Sequence, residues 1–505
     1  MNGVDLNDLA EHEADLLGPH ITRDEQGAAH IDFHDARAAT ALNEATLRRD
    51  FGIHVVQPQD RLCPPIPNRL SYLLWLQDVL RHTKEPVEGA AGATDEDGQP
   101  TKRRKLAGRS TSPRILDIGT GATAIYPLLG CAIDPEWVFT GTDIDAASLD
   151  NARKIVENPR NNGCDHGGDS SNKGSRRPRS RLIRDWPLNL ASRINLLLRS
   201  EDDTLIPLGS KCVDRADRDH EPEDAQPMYT ATMCNPPFYS SAQEMQDSLD
   251  KKSLPPNGAC SGTATEMICA GGEVAFVSRL IDESTSLRER VRWYTSMVGK
   301  MSSIAPLVDR LKQRDVQNYG VSAFVQGSTR RWVLIWSFAP YRLPDEVVKL
   351  RTPALLSSMP ASNTITKTVE LASSSARSVE SIARDVRAYI NSLSGSASSV
   401  VSSQGDEEEE ELLLRFDSPS WSRAARRAAL NRPTDSKNGK ERPMEQVEPV
   451  LCCAVRVSTA SPDGKMSKKD PVCQEVALRI QWTYGRDRSY FESFTSSLLR
   501  KMAVT

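Results

Sequence analysis

A pair of glycines directly after a short apolar run is the feature that most limits how this 505-residue chain can fold. Residues 115–118 read Ile-Leu-Asp-Ile, and Gly119 and Gly121 follow them. Short apolar runs are typical of strands buried on both faces, and glycines at the carboxyl end of such a strand let the backbone approach a ligand closely. The motif therefore predicts a parallel sheet with a ligand site at the carboxyl ends of its strands.

Segments of strand and helix character alternate around this motif. We expect strands at 115–118, 138–142, 194–198, 230–234 and 332–338, and helices at 146–156 and 284–298. Such alternation is typical of βαβ units in a parallel sheet. The predicted fold is α/β, with a Rossmann-like domain at 113–340. Apolar residues at helical spacing predict an N-terminal helical extension of this domain at 1–83.

Polar stretches divide the rest of the chain. Residues 84–112 are charged and glycine-rich, so we interpret them as a flexible insertion. Residues 341–375 are interpreted as a linker. Islands of order beyond them predict a small α+β module in two halves, 376–432 and 447–505, with a disordered insertion at 433–446.

Composition excludes several classes of protein. The net charge of −4 argues against a globally basic coat, so any binding of RNA or DNA must come from local patches. The ten cysteines form no CxxC pair and have no histidines at zinc spacing, so we expect neither a metal site nor a disulfide framework. Without a signal peptide or an apolar run long enough to span a bilayer, the chain is expected to be soluble and intracellular, with no membrane partner.

The glycine motif alone allows more than one interpretation. Residues 119–124 also fit a loose dinucleotide fingerprint, and Asp143 lies where a carboxylate would bind ribose hydroxyls. An S-adenosylmethionine-dependent methyltransferase, an NAD-dependent oxidoreductase and a turn without a ligand are all compatible with it. Asp117 favours the methyltransferase, because an acidic residue two positions before the first glycine is unusual in the dinucleotide motif.

The segment Asn235-Pro236-Pro237-Phe238 decides between these interpretations. The Asn235 side-chain oxygen and the Pro236 carbonyl can accept both N–H protons of a planar amine, which draws its nitrogen toward tetrahedral geometry. The two prolines stiffen the loop, and Phe238 offers a face on which a flipped or single-stranded base can stack. A rigid turn is the alternative. The motif predicts methylation of a planar nitrogen, and adenine N6, guanine N2 and a glutamine amide all provide one.

Blocks around these motifs resemble one family. They are Pro67-Asn68-Arg69-Leu70-Ser71-Tyr72, Ile125-Tyr126-Pro127-Leu128-Leu129-Gly130, Ala270-Gly271-Gly272-Glu273, Arg292-Trp293-Tyr294, Gly299-Lys300, Gln326-Gly327 and Arg331-Trp332. Over residues 28–338 the chain is similar to the methyltransferase-like protein 16 family, whose bacterial relative is the ribosomal large-subunit adenine methyltransferase F. The resemblance implies adenine-N6 methylation of structured RNA with S-adenosylmethionine: U6 small nuclear RNA in eukaryotic members, 23S ribosomal RNA in bacterial ones. Ribosomal RNA and glutamine-N5 methylation of protein stay as alternatives.

The resemblance also implies the site residues. For the cofactor they are Arg69, Asp117, Gly119, Gly121, Thr123, Asp143, Asn235 and, after the third strand, Thr204. The implied catalytic residues are Asn235, Pro236, Pro237 and Phe238. The RNA contacts expected on the catalytic domain are Tyr239, Arg288, Arg292, Lys300, Arg330 and Arg331.

The C-terminal islands resemble the accessory module of the eukaryotic enzymes, on Trp421 and on residues 480–482. That module is implied to bind RNA and to favour U6 small nuclear RNA. The clustered Arg423, Arg426 and Arg427 agree, because arginines on one short helix make a phosphate-binding face.

Two further features concern location and RNA affinity. Residues 102–105, Lys-Arg-Arg-Lys, resemble a nuclear localisation patch, so we expect the nucleus, with the cytoplasm as a further location. Eukaryotic relatives often begin with a basic arm, whereas this chain begins with acidic residues: Asp5, Asp8, Glu11, Glu13 and Asp15. Basic contacts with RNA must therefore come from elsewhere in the chain.

Overall fold

The computed structural model describes most of the chain in two compact units. The described residues are 5–58, 61, 65–83, 112–163, 186–207, 228–250, 264–326, 329–350, 352–372, 378–393, 396–402, 410–430, 448–459 and 473–504. The first unit comprises the residues up to Leu76, those from 112 to Phe338, and Leu350–Met359. The second comprises Ala339–Lys349, the residues from Pro360 onward and the last turns of the helix that begins at Ile66.

Some sequence predictions concern residues that the structure leaves undescribed. They are the insertion at 84–112 except for its last residue, the insertion at 433–446, and the basic patch at 102–105. In the part of the chain that is described, no helix is long and apolar enough to cross a membrane.

The N-terminal extension is mostly helical. It consists of α1 (Leu6–His12), α2 (Ala14–Leu17), β1 (Ile21–Arg23), β2 (Ala29–Ile31), α3 (Ala36–Phe51) and α4 (Ile66–Arg81), with β1 and β2 forming a hairpin. Leu9 and Leu17 are buried in a cluster with alanines of α3. Arg48 of α3 pairs with both Glu13 and Asp15. The charges of two of the acidic residues near the start of the chain are therefore balanced by α3.

A seven-stranded sheet is the centre of the first unit, with the strand order β5-β4-β3-β6-β7-β9-β8. Its strands are β3 (Arg114–Ile118), β4 (Val138–Asp143), β5 (Ile194–Leu198), β6 (Tyr229–Cys234), β7 (Val291–Val298), β8 (Tyr319–Gln326) and β9 (Thr329–Trp336). Strands β3 to β7 pair in parallel, and β9 is antiparallel to both β7 and β8. The predicted Rossmann-like fold is confirmed.

The helices around this sheet match the predictions unevenly. They are α5 (Ile125–Ile133), α6 (Ala146–Val156), α7 (Leu190–Arg193), α8 (Ala242–Asp250), α9 (Ala264–Met267), α10 (Gly272–Leu287) and α11 (Ile304–Gln313). Helix α6 begins as predicted because Asp145 caps it, accepting from the Ala147 amide at 3.0 Å. The predicted helix at 284–298 is wrong, because it combines the end of α10 with all of β7. Strand β7 is buried on both faces and so shows no two-residue alternation.

The second unit is built on a five-stranded antiparallel sheet with the strand order β10-β14-β13-β12-β11. Its strands are β10 (Thr364–Ala372), β11 (Ser396–Ser402), β12 (Glu410–Phe416), β13 (Leu451–Thr459) and β14 (Cys473–Tyr484). Its helices are α12 (Asp345–Val348), α13 (Val379–Asn391), α14 (Arg423–Leu430) and α15 (Arg488–Val504). Trp421 and Trp482 lie in one core cluster with residues of α13 and α15.

The predicted linker at 341–375 is wrong. It contains α12 and β10, and β10 pairs with β14 along its whole length. Ile365, Val369 and Leu371 lie at even intervals in β10, the two-residue period of a strand with one apolar face, but its serine-rich surroundings masked that pattern. Residues 350–359 belong to the first unit, where Leu355 and Met359 join the core. The catalytic domain therefore does not end at residue 340, and the module begins before residue 376.

Candidate active site

The loop after β3 folds toward the end of β4. The Thr142 carbonyl accepts from the amides of Gly119 and Thr120, both at 2.9 Å. Gly119 and Gly121 have φ angles of +75° and +68°, a region that favours glycine. A Cβ atom added to either glycine would meet nothing within 4 Å. Both glycines therefore face open space in which a ligand can lie against the backbone.

Asp143, the last residue of β4, is tied to the same loop. Its Oδ2 accepts from the Gly121 amide at 2.8 Å, and its Oδ1 accepts from the Asp145 amide at 3.0 Å. Burial raises the pKa of this carboxyl. In this fold, a carboxylate at this position binds the ribose of a nucleoside cofactor. The structure thus brings the predicted glycines and the predicted ribose-binding carboxylate together.

Asp117 is fully buried near the end of β3. The Thr120 hydroxyl donates to its Oδ2 at 2.7 Å, whereas its Oδ1 has no hydrogen-bond partner among the described residues. Burial raises the pKa of this carboxyl to about 7; the charge of Asp143 adds to the effect and that of Arg69 opposes it. A buried oxygen without a partner costs stability, so Asp117 is better suited to binding a ligand than to stabilising the fold.

We expect Asp117→Asn to stabilise the cofactor-free protein at alkaline pH. The folded-state pKa is about 7 against an ordinary value of 3.8, so the contribution of this carboxyl to stability is complete below the ordinary value and is lost as the pH rises through the folded value. Asparagine keeps an acceptor for Thr120 and carries no charge. Thermal melting should show a higher Tm for the variant at about pH 8 and a smaller shift at about pH 5. Equal shifts at both pH values would contradict a buried ionisable carboxyl.

Strand β6 lies beside β3, and residues 235–238 follow it directly. Ile118 pairs with Cys234, so Gly119 and Asn235 leave the sheet side by side. The Asn235 Oδ1 atom is buried and has no hydrogen-bond partner among the residues that the structure describes. Pro236, the next residue, is buried as well. Buried side-chain oxygens are nearly always paired, so this unpaired acceptor indicates a missing donor.

Phe238 is enclosed by two elements. The guanidinium carbon of Arg331 lies 5.5 Å from the ring centroid. A Cβ atom on Gly299 would lie 2.6 Å from the ring, so only glycine allows this approach. Arg331 reaches the site because Val298 of β7 pairs with Trp332 of β9. The ring is therefore held at the same edge of the sheet as Asn235.

Two arginines with no carboxylate at ion-pair distance in the described residues border the site. Arg69 of α4 is 9% exposed, and its guanidinium carbon lies 5.7 Å from the Tyr126 ring centroid. The Tyr126 hydroxyl is buried and also has no hydrogen-bond partner among the described residues. Burial lowers the pKa of Arg331, and the nearby charge of Arg69 lowers it further. Two such cations favour an anionic group near them.

The two predicted threonines differ in their surroundings. Thr123 is buried just before α5. Thr204 lies in the loop after β5, and β5 ends beside Asp143. The Thr204 hydroxyl donates to the Ile206 carbonyl at 2.9 Å. Its oxygen can still accept, but no contact joins Thr204 to the other predicted cofactor residues in the described part of the chain.

Some of the predicted RNA contacts of the first unit lie near Phe238. The Nζ atom of Lys300 lies 5.6 Å from the Tyr239 ring centroid and pairs with Glu244 at 2.5 Å. Arg331 stacks on Phe238 as described, and Arg330 before it is exposed. Lys300 is therefore already paired with a carboxylate. An RNA phosphate would have to compete with Glu244 for the Lys300 ammonium.

Arg288 and Arg292 lie at the opposite edge of the sheet. They are located just before and at the start of β7, whereas Val298 ends that strand beside the site. At about 3.3 Å per residue, Arg292 is roughly 20 Å from Val298 along the strand. The structure thus does not bring these two arginines to the candidate site.

The basic helix of the second unit is α14. Arg423 and Arg427 are exposed on it and, four residues apart, share one face. The Arg426 side chain lies outside the described part of the structure. In the described ranges of both units, no group of side chains could hold a metal ion.

Sequence reasoning missed three residues of this site. They are Tyr126, Gly299 and Glu273, whose Oε2 atom accepts from the Gly299 amide, and none of them had a predicted role. Each lies inside a block that carries the family resemblance, which was the available signal.

Comparisons with known proteins agree with this geometry. A family model described as RNA methyltransferase matches residues 2–96, 102–165 and 221–340. The U6 small nuclear RNA (adenine-(43)-N(6))-methyltransferase of Schizosaccharomyces pombe is 33% identical over 328 residues, which are 64% of this chain and 66% of that protein. The human RNA N(6)-adenosine-methyltransferase METTL16 is 32% identical over 321 residues, 63% of this chain and 46% of that protein.

A bacterial protein is similar over a larger share of its own length. Ribosomal RNA large subunit methyltransferase F of Pseudoalteromonas translucida is 31% identical over 345 residues, which are 67% of this chain and 90% of that protein. The chain thus spans less than two thirds of the human relative and nearly all of the bacterial one. Since the family model also matches more than half of the chain, the chain belongs to this family of RNA methyltransferases.

Proposed function

We propose that this chain is an S-adenosylmethionine-dependent RNA methyltransferase that forms N6-methyladenosine. The observation that carries the proposal is the buried, unpaired Oδ1 of Asn235 at the end of β6, beside the glycine loop. An amide oxygen in this position can accept an N–H of the adenine N6 amine. The names of the fission yeast and human relatives, both adenine-N6 methyltransferases of RNA, support this chemistry.

The residues at the carboxyl edge fit S-adenosylmethionine. Gly119 and Gly121 leave open space along the backbone, and Asp143 would accept from the ribose hydroxyls. The methionine part of the cofactor carries an ammonium and a carboxylate. Asp117 would pair with the ammonium and Arg69 with the carboxylate, which would give a partner to the unpaired Oδ1 atom of Asp117 and a counter-charge to the buried Arg69. Thr123 and Thr204 are proposed as further contacts.

Catalysis in this site depends mainly on positioning. When bound, S-adenosylmethionine supplies an electrophilic methyl group. The Asn235 Oδ1 atom and the Pro236 carbonyl would accept the two N–H protons of the amine, so that its lone pair points at the methyl carbon. These hydrogen bonds strengthen as positive charge develops on the nitrogen. Phe238 would hold the base by stacking. A strong general base is not required, because the amine loses its proton after it is methylated.

We further propose U6 small nuclear RNA as the substrate, with action in the nucleus. The name of the fission yeast relative supports this substrate. The second unit also supports it, because most of that unit follows residue 340, where the family match ends. The bacterial relative is aligned over 90% of its length, which leaves little of it for an equivalent unit. The exposed Arg423 and Arg427 on α14 are proposed to contact RNA phosphates.

One experiment tests both levels of this proposal. Purified protein with labelled S-adenosylmethionine is offered a U6 transcript, a large-subunit ribosomal RNA fragment and a protein release factor in parallel. We expect label in the U6 transcript, recovered as N6-methyladenosine after digestion to nucleosides. Asn235→Ala sets the background. Label in the ribosomal fragment alone would overturn the U6 substrate but keep the chemistry, and label in the release factor alone would overturn both.

A further inference from the structure

Glu273, in the first turn of α10, has a buried carboxylate with three donors around it. It is 2% exposed. Its Oε2 accepts from the Gly299 amide at 2.6 Å, and its Oε1 accepts from the Lys300 amide at 3.0 Å and from the Ser303 hydroxyl at 2.6 Å. All three donors lie in residues 299–303, which we call the 299–303 turn. No described lysine or arginine lies at ion-pair distance from this carboxylate, so the turn itself compensates its burial.

The 299–303 turn borders the ring of Phe238. The Cα atom of Gly299 is so close that an added Cβ would lie 2.6 Å from the ring and 3.1 Å from Oε2 of Glu273. The gap between Gly299 and the ring is therefore too small for any side chain larger than a hydrogen atom. The position of the 299–303 turn therefore limits how far the Phe238 ring can move toward Gly299.

The N-terminal end of α10 also touches the backbone of the Phe238 loop. Gly272 has a φ angle of +64°, and a Cβ on it would lie 3.4 Å from the Ser240 amide nitrogen and 3.6 Å from the Phe238 carbonyl oxygen. This helix end thus lies next to the loop, and Glu273 joins it to the 299–303 turn. The charge of Glu273 also acts on Arg331, whose pKa it raises against the effect of burial.

We propose that Glu273 is a positioning residue for base stacking, acting through the 299–303 turn on Phe238. The inference rests on the proposed function, because Phe238 matters in this way only if a base is methylated. Glutamine has one acceptor oxygen in place of two, and its NH₂ group would face at least one of the three donors. Glu273→Gln therefore loosens the turn. Misplacement of a binding group by about 1 Å can cost about 10²-fold in rate.

The test is a double-mutant cycle on RNA methylation. We expect Glu273→Gln to lower kcat by about 10-fold to 10²-fold while the Kd for S-adenosylmethionine stays within about twofold. In a Phe238→Ala background the same change should cost less than about twofold, because the ring on which the turn acts is absent. Ser303→Ala removes one of the three donors and should give a smaller loss than Glu273→Gln. If the fold losses in kcat of the two single variants, Glu273→Gln and Phe238→Ala, multiply in the double variant, the proposal is overturned.

A second measurement does not depend on activity. Hydrogen exchange at the amides of Gly299 and Lys300 should become faster in Glu273→Gln and stay unchanged in Phe238→Ala. Unchanged exchange in Glu273→Gln would overturn the role of this carboxylate in holding the turn. If the wild-type protein methylates no RNA, the proposed function fails. The exchange result still shows whether Glu273 holds the 299–303 turn. If the wild type is active and the losses multiply, only the positioning inference fails.

Discussion

Asn235→Ala is expected to lower kcat for RNA methylation by about 10²-fold to 10³-fold, the usual effect of removing one preorganised hydrogen-bonding group from a transition state. The physical reason is the unpaired Oδ1 atom, which has no partner among the described residues and would accept from the reacting amine. That hydrogen bond strengthens as the nitrogen becomes positive in the transition state, so its loss lowers kcat. The affinity for S-adenosylmethionine should change by no more than about fivefold, the value of one neutral hydrogen bond.

Single-turnover methylation with labelled cofactor measures the first quantity and calorimetry the second. The matched control is Asn391→Ala, which makes the same substitution at an exposed position at the end of α13. The control should keep wild-type turnover. A loss confined to cofactor affinity in Asn235→Ala, with kcat intact once the cofactor saturates, would show that Asn235 holds the cofactor and does not orient the amine.

Phe238→Ala is the second large effect. Stacking of a base on an aromatic ring contributes about 1–3 kcal/mol, so the variant should lose up to about 10²-fold in kcat/KM for RNA. Cofactor affinity should remain near the wild-type value, because the loop of Gly119 and Gly121 and the carboxyl of Asp143 are separate from the ring. Phe238→Tyr keeps a ring of similar shape and should retain most of the activity.

Phe33→Ala is the matched control, since Phe33 is 48% exposed in the N-terminal extension. Activity assays with RNA varied at saturating cofactor, together with cofactor titrations, separate the two contributions. A large loss of cofactor binding in Phe238→Ala would mean that the ring packs against the cofactor and not against the base.

The parts of the site that the sequence predicts are those formed by consecutive residues. Gly119 with Gly121, and Asn235 with Phe238, each form one local segment after a buried strand. The carboxyl ends of neighbouring parallel strands meet at one edge, so the βαβ pattern is enough to bring these segments together. The fold class follows from the same pattern. No long-range pairing needs to be known for either conclusion.

The remaining parts depend on pairings that the sequence does not reveal. Arg331 reaches Phe238 because β9 runs antiparallel to β7 with Val298 opposite Trp332. Glu273 meets Gly299 only after α10 has packed beside β7. Arg292 and Lys300 are near in sequence but belong to opposite edges, since a strand separates residues that a helix would bring together. Helical periodicity at 284–298 was therefore misleading both for the fold and for the RNA-binding surface.

The path of the chain between the two units has a practical consequence for dissecting this protein. The chain leaves the first unit after Phe338, supplies Ala339–Lys349 to the second, returns for Leu350–Met359 and leaves again. A fragment that ends at residue 340 therefore lacks Leu355 and Met359, and the apolar surface that these side chains cover would be exposed to water. Such a fragment would combine loss of the second unit with damage to the catalytic core. Only a boundary after Met359 leaves both side chains in place.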